Sequence, residues 1–351
     1  MSSFAHHATA SDALRTIWRN RGWQAWSLRP LASVYGVLRS VPPMLYQHGI
    51  KHAQHAHVPT IVIGNVIVGG AGKTPVTQAT VAYLQGCGLR PGIISRGYGR
   101  STDDCRQVTP DALPEVVGDE PLLMARTTGV PVFVARQRID AARALLAHAP
   151  ATDVLVCDDG LQHHALARDL EICVFNDEGI GNGWLLPAGP LREPWPRAVD
   201  AVLHTACAAP VGTPLATPCF RVQRQLAPYA LRSDGQRVPL DSLRGQPLHA
   251  LAAIARPEDF FAMLRQQSLT LARTQALPDH YDFTAYKKCC DSDLPMVCTE
   301  KDAAKLWQIC PNALAIVLTL SIDTGYFDLL ARRLGQLGLS LKLAASSHSK
   351  S

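Results

Sequence analysis

Negative charge is almost absent from the start of this sequence. Residues 1–60 hold one acid, Asp12, against six basic residues, Arg15, Arg19, Arg21, Arg29, Arg39 and Lys51. The ten cysteines contain no C-x-x-C pair; Cys289 and Cys290 are simply adjacent. This argues against a disulfide scaffold, and the small apolar neighbours of Cys157 and Cys173 suggest buried free thiols in a reducing cytosol. Cys and His with metal-ligand spacing are lacking too, which weighs against a nucleotide-switched metal-delivery protein. No apolar core followed by a small-residue cleavage site opens the chain, so a signal peptide is not expected. Residues 201–220 lack Lys, Arg, Asp and Glu, but Pro210, Pro214 and Pro218 interrupt them and argue against a spanning helix. The net charge of +5 is too mild to point to nucleic acid, and no such partner is expected; no protein partner is predicted either.

What is present is a globular pattern. Apolar residues make up 47% and charged residues 18%, enough for a well-buried core. Residues 1–22 read as a variable lead. Residues 23–57 are amphipathic: Trp23, Trp26, Leu28, Leu31, Val34, Tyr35 and Leu38 interleave with the basic residues, as on a helix lying on an anionic surface. Pro42 and Pro43 are expected to split this helix into two pieces. From residue 58, short β-branched runs alternate with helical patterns, which predicts a mostly parallel sheet with helices on both faces. This core is assigned to residues 58–205. Residues 206–245 read as a connection with hairpin character around Ser233-Asp234-Gly235. A smaller second α/β lobe is expected over 246–343, and a polar, disordered tail over 344–351.

The strongest local signal is Gly69-Gly70-Ala71-Gly72-Lys73-Thr74, between a predicted strand and a predicted helix. Glycines let backbone N–H groups turn onto phosphate oxygens, Lys73 adds a point charge, and the Thr74 hydroxyl is a ligand for Mg²⁺. With Ile67 and Val68 these residues form the candidate nucleotide site. Ile67 departs from the P-loop pattern, which places glycine there. A phosphate loop needs an acid at a strand end. The run Asp153–Cys157 leads into Asp158-Asp159-Gly160, so Asp158 and Asp159 are the candidate metal acids. Thr299-Glu300-Lys301-Asp302 resembles a guanine-reading motif with its lysine one place late, which favours ATP over GTP.

Further blocks narrow the reading. They are Gly64-Asn65, Ser95-Arg96-Gly97-Tyr98-Gly99, Gly118-Asp119-Glu120-Pro121, Asp158–His163, Gly181–Glu193, Asp279-His280-Tyr281 and Thr299–Ala303. In this order, over about residues 28–320, the sequence resembles the tetraacyldisaccharide 4'-kinases of Gram-negative bacteria. The resemblance implies a two-lobed P-loop fold and transfer of phosphate from ATP to the 4'-hydroxyl of an acylated glucosamine disaccharide 1-phosphate. It implies work at the cytoplasmic face of the inner membrane, held by the N-terminal segment.

It also implies residue roles. Asp119 and His280 would form the dyad that takes the hydroxyl proton. Glu120 would help hold Mg²⁺ or the dyad. Gln162 and His163 would lie close to the nucleotide, and Arg192 near the transferred phosphate. Arg96 would meet either the 1-phosphate or the nucleotide. Where the family shows a glycine-rich turn, this chain has Ala253-Ile254-Ala255-Arg256. The rival readings are another P-loop small-molecule kinase and an ATP-dependent ligase.

Overall fold

The computed structural model describes residues 10–279, 281–283, 286 and 294–342. His280 and the tail 344–351 lie outside the described residues, as do the first nine residues of the lead. Three helices come first: α1 (Ala10–Arg19), α2 (Trp23–Ser27) and α3 (Arg29–Gln47). The expected split at Pro42-Pro43 is not found. Both prolines sit inside α3, and the break falls at Leu28 instead. A proline removes one helical hydrogen bond, but tertiary contacts offset that loss here. Tyr35 Oη and Arg39 Nε both donate to the carbonyl of Arg192, at 2.9 and 3.3 Å, and Gly36 lies against Leu185.

The first half of the sheet contains β1 (Thr60–Gly64), β2 (Pro91–Ser95), the short β3 (Arg106–Gln107), β4 (Val132–Val134), β5 (Val154–Asp158), β6 (Leu170–Phe175) and β7 (Ala201–His204). All but β3 pair in parallel. The helices between them are α4 (Lys73–Gly86), α5 (Pro114–Val117), α6 (Asp119–Thr128) and α7 (Arg138–His148). The strand sequences do not alternate apolar with polar because both faces are covered. Along β1, Ile61 and Ile63 face the cluster built with Val81 and Leu84 of α4, while Val62 faces the cluster holding Ile139 and Leu145 of α7.

A long strand, β8 (Cys219–Leu231), then joins the halves, with β9 (Arg237–Pro239) folded back on it as a hairpin. The hairpin character read at Ser233-Asp234-Gly235 is thus present. This stretch is also a shared wall of the sheet: β8 starts parallel to β7 and continues antiparallel to a strand of the second half. That half contains β10 (Pro247–Ala252), α8 (Pro257–Gln266), β11 (Thr270–Ala276), β12 (Met296–Thr299), α9 (Glu300–Leu306), β13 (Leu314–Ile322) and α10 (Thr324–Gln336). The strand order is β11-β10-β12-β13-β8-β7-β6-β1-β5-β2-β4-β3. The loops that follow β1, β5 and β6 therefore emerge side by side at the carboxyl end of the parallel sheet, where α/β folds bind ligands.

Helix α10 crosses back onto the first half. Tyr326 is fully buried in the same cluster as Ile61 and Leu84, and its hydroxyl lies 2.7 Å from Thr80 Oγ1. Tyr326→Phe leaves the buried Thr80 hydroxyl without that partner, so a loss of about 1–2 kcal/mol is expected. The measurement is the denaturation midpoint; an unchanged midpoint would show that this bond contributes nothing.

Candidate active site

The loop after β1 wraps the start of α4. Gly69 and Gly72 adopt left-handed φ values of 106° and 85°, which a side chain would oppose. Gly72 is the N-cap of α4, so Lys73 and Thr74 begin the helix and Pro75 falls in its first turn, where no N–H is needed. The first two of the eight loop residues also make contacts of their own. Ile67 is buried and forms a β-bridge with Leu191, and the N–H of Val68 donates to the Pro190 carbonyl at 2.9 Å. The departure at Ile67 thus fills an apolar seam with Leu191 at the start of the loop. A cavity of about 220 Å³ opens beside the loop, bordered by Ile67, Val68, Gly69, Gly70, Asn176 and Arg256.

The acids at the end of β5 have opposite environments. Asp158 is buried and accepts from Thr77 Oγ1 at 3.2 Å. Burial, and then the like charge of Glu120, push its carboxyl from 3.8 up to about 7. Asp159 sits in a left-handed conformation, φ 48°, that Asp tolerates better than most residues. Burial alone would raise its carboxyl, but Lys73 and Arg192 outweigh it and bring it down to about 2. Lys73 Nζ is 3.8 Å from Asp159, and Arg192 forks onto both its oxygens at 2.8 and 3.2 Å.

Asn65 ties these groups together. Its backbone carbonyl accepts from Arg192 at 2.7 Å and from Gln162 at 2.8 Å, and its side-chain oxygen accepts from Arg192 and, at 3.5 Å, from Lys73. Gln162 also donates to Glu193 at 2.7 Å. His163 is brought to the same end of the sheet; burial and the charges of Arg138 and Arg168 lower it to about 4, so its ring is neutral near pH 7. Its Nε2 accepts from the backbone N–H of Arg138 at 3.3 Å. Arg96 lies exposed in the loop after β2.

Asp119 is the first residue of α6, held there by Gly118 at φ 93°. It is buried and faces Lys305 of α9, whose Nζ lies 2.9 and 3.0 Å from its two oxygens. His280 lies outside the described residues. Its neighbour Asp279 is paired with Lys301, also on α9, at 3.0 Å. Despite burial, which works to lower it, Asp279 and Glu120 raise the Lys301 ammonium. Asp279 and Glu120 are thus both near one lysine.

Sequence reasoning gave no role to Asn65, Thr77 or Lys305. Asn65 belonged to a noted block, but nothing local says that three side chains converge on it. Among the described residues, no group of three or more His, Cys, Asp and Glu side chains forms a self-sufficient metal site. Among them also, no helix is long and apolar enough to cross a membrane.

Comparison with known proteins places this geometry. The family model described as tetraacyldisaccharide-1-P 4'-kinase matches residues 24–335. A tetraacyldisaccharide 4'-kinase from Acidovorax sp. (strain JS42) is 58% identical over 330 residues, covering 94% of this chain and 96% of the relative. One from Verminephrobacter eiseniae is 62% identical over 314 residues, covering 88% and 72% respectively. A crystal structure from Aquifex aeolicus, described as apo-form LpxK in complex with ATP, superposes with a TM-score of 0.78 at 29% identity, covering 88% of this chain and 99% of that one.

The folded protein holds the Asp158 proton more tightly than the unfolded chain does. This group therefore lowers stability progressively as pH rises from about 4 to about 7. Asp158→Asn, which still accepts from Thr77, is expected to raise the melting temperature at about pH 8, with the gain shrinking towards about pH 4.5. Equal shifts at both pH values would show that ionisation of Asp158 carries no such cost.

Proposed function

The chain belongs to the tetraacyldisaccharide-1-P 4'-kinase family, and on that premise we propose that it transfers the γ-phosphate of ATP to the 4'-hydroxyl of a tetraacylated glucosamine disaccharide 1-phosphate in lipid A biosynthesis. The observation that carries this reading is the Gly69–Thr74 cradle with Lys73, Arg192 and the Asp158-Asp159 pair around one strand end. The backbone N–H groups of the cradle and Lys73 bind the triphosphate. Arg192, already forked on Asp159, offsets charge on the transferred phosphoryl oxygens. Gln162 and His163 border the nucleotide.

The acids suit Mg²⁺. Asp158 is buried beside Glu120 with its charge poorly compensated, and Thr74 offers a hydroxyl at the loop. Such a set, short of a full shell, fits an ion that takes its remaining ligands from phosphate and water. Mg²⁺ bound there by Thr74, Asp158, Asp159 and Glu120 would neutralise the β- and γ-phosphates. Asp119 accepts the proton of the 4'-hydroxyl, with His280 as its partner in that task.

The lipid reaches the site from the N-terminal side. Trp23, Trp26, Leu31, Val34, Val37, Leu38, Val41 and Met44 of α2 and α3 are exposed, while Tyr35 and Arg39 hold α3 to Arg192. With Arg29 and Arg39 on the same helix, this face suits the anionic cytoplasmic surface of the inner membrane. A shallow groove of about 450 Å³ between α3 and Gly183–Leu185 is where we place an acyl chain.

Radiolabelled ATP and the acylated disaccharide should give a lipid labelled at the 4' position. Asp119→Ala is expected to reduce turnover by about 100-fold or more with the fold intact. Label appearing only on a water-soluble acceptor would end this reading. Removing the residues before Val58 should weaken sedimentation with anionic vesicles and slow turnover of micellar lipid; unchanged vesicle binding would overturn the role given to α2 and α3.

A further inference from the structure

We propose that α9 is the element that aims the proton acceptor across the two halves of the chain: Lys305 positions Asp119, while Lys301, one turn earlier on the same helix, holds Asp279. This rests on the reading of Asp119 given above. The two lysines are four residues apart and so share one face of the helix. Lys305 reaches across to α6, with its ammonium 2.9 and 3.0 Å from the two oxygens of Asp119. Lys301 reaches Asp279 at 3.0 Å. Its four side chains are well covered apart from Asp279, so water screens these pairs poorly and their geometry is held.

The helix itself is firmly seated. Thr299 caps it, accepting from the Asp302 N–H at 3.2 Å. The Asp302 carboxylate accepts from Thr299 Oγ1 at 2.7 Å and from the Ala253 N–H at 2.9 Å, which ties the helix start to the end of β10. Glu300 is aimed at the Leu318 N–H of β13, at 3.4 Å. Each residue of the Thr299-Glu300-Lys301-Asp302 block therefore either fixes α9 to the second half or reaches from it towards an acid.

An ammonium at hydrogen-bond distance from both oxygens fixes the direction of the carboxylate it faces. Asp119 comes from the first half, and both lysines come from the second. Glu120, Asp279 and Asp302 are the acids that act on Lys301, and Lys305 faces Asp119. The carboxylate is aimed only while α9 is docked on α6. Lys301 and Lys305 are thus positioning residues rather than catalytic ones.

The test is a double-mutant cycle on the full chain. Lys305→Met keeps most of the side-chain volume and is expected to lower kcat about 100-fold, with KM for ATP within about threefold of the parent. In an Asp119→Asn background the same change should cost less than about threefold, because its target is gone. Lys305→Gln takes the place of Lys305→Met if the latter fails to fold. Parental kcat in Lys305→Met, or an equal loss in both backgrounds, would overturn this inference and leave the proposed function standing. Parental turnover in Asp119→Asn would remove the role given to Asp119 and this inference together.

Discussion

The end of β5 carries two adjacent carboxylates with opposite electrostatic fates, and the site is organised around that difference. Asp159 turns out of the strand into the reach of Lys73 and Arg192, and these cations keep it ionised. Asp158 stays in the buried strand end, near Glu120, where ionisation is costly. A folded protein that keeps such a group has a deficit of positive charge at one point. The phosphate cradle faces the same place. In the function proposed above, a metal-bound triphosphate would supply a cation for the acid and anions for Lys73, Arg192 and the loop N–H groups. Binding of that ligand would offset the stability lost in holding Asp158.

Arg192 connects this charge arrangement to the surface of the molecule. Its guanidinium is on Asp159 and Asn65, and its carbonyl receives Tyr35 and Arg39 from α3. The helix that exposes a row of large apolar side chains is therefore bonded to the backbone of a residue that touches the acid pair. On the other side, α9 carries lysines to Asp119 and Asp279. Strand β8 joins the two halves into one sheet, so these contacts are made between parts of a continuous framework.

Some of this was legible before any coordinates. The Gly69–Thr74 loop reads locally because backbone freedom, a lysine and a helix start all fall within six residues. The acid pair reads because a β-branched run ends on it. The parallel sheet reads because strands covered on both faces lose their alternation. Other features misled for equally physical reasons. Pro42 and Pro43 carry a local propensity against helix that contacts from Tyr35, Gly36 and Arg39 override. The polar, proline-bearing stretch before residue 245 hid β8, whose exposed positions carry Arg221, Gln223, Gln225 and Pro228, residue types read as loop.

The sequence by itself determined the chemical groups available: a glycine-rich loop with a lysine at a helix start, acids at a strand end, and a basic amphipathic leading segment. These are properties of residues near one another in the chain, where local geometry follows from backbone preference and apolar periodicity. Only the tertiary structure decided which distant groups share one electrostatic environment. Asn65 meets Arg192, burial and then Glu120 raise Asp158, and Lys305 reaches Asp119 across 186 residues. Charge interactions depend on separation in space and on burial, and neither is written in the order of the residues.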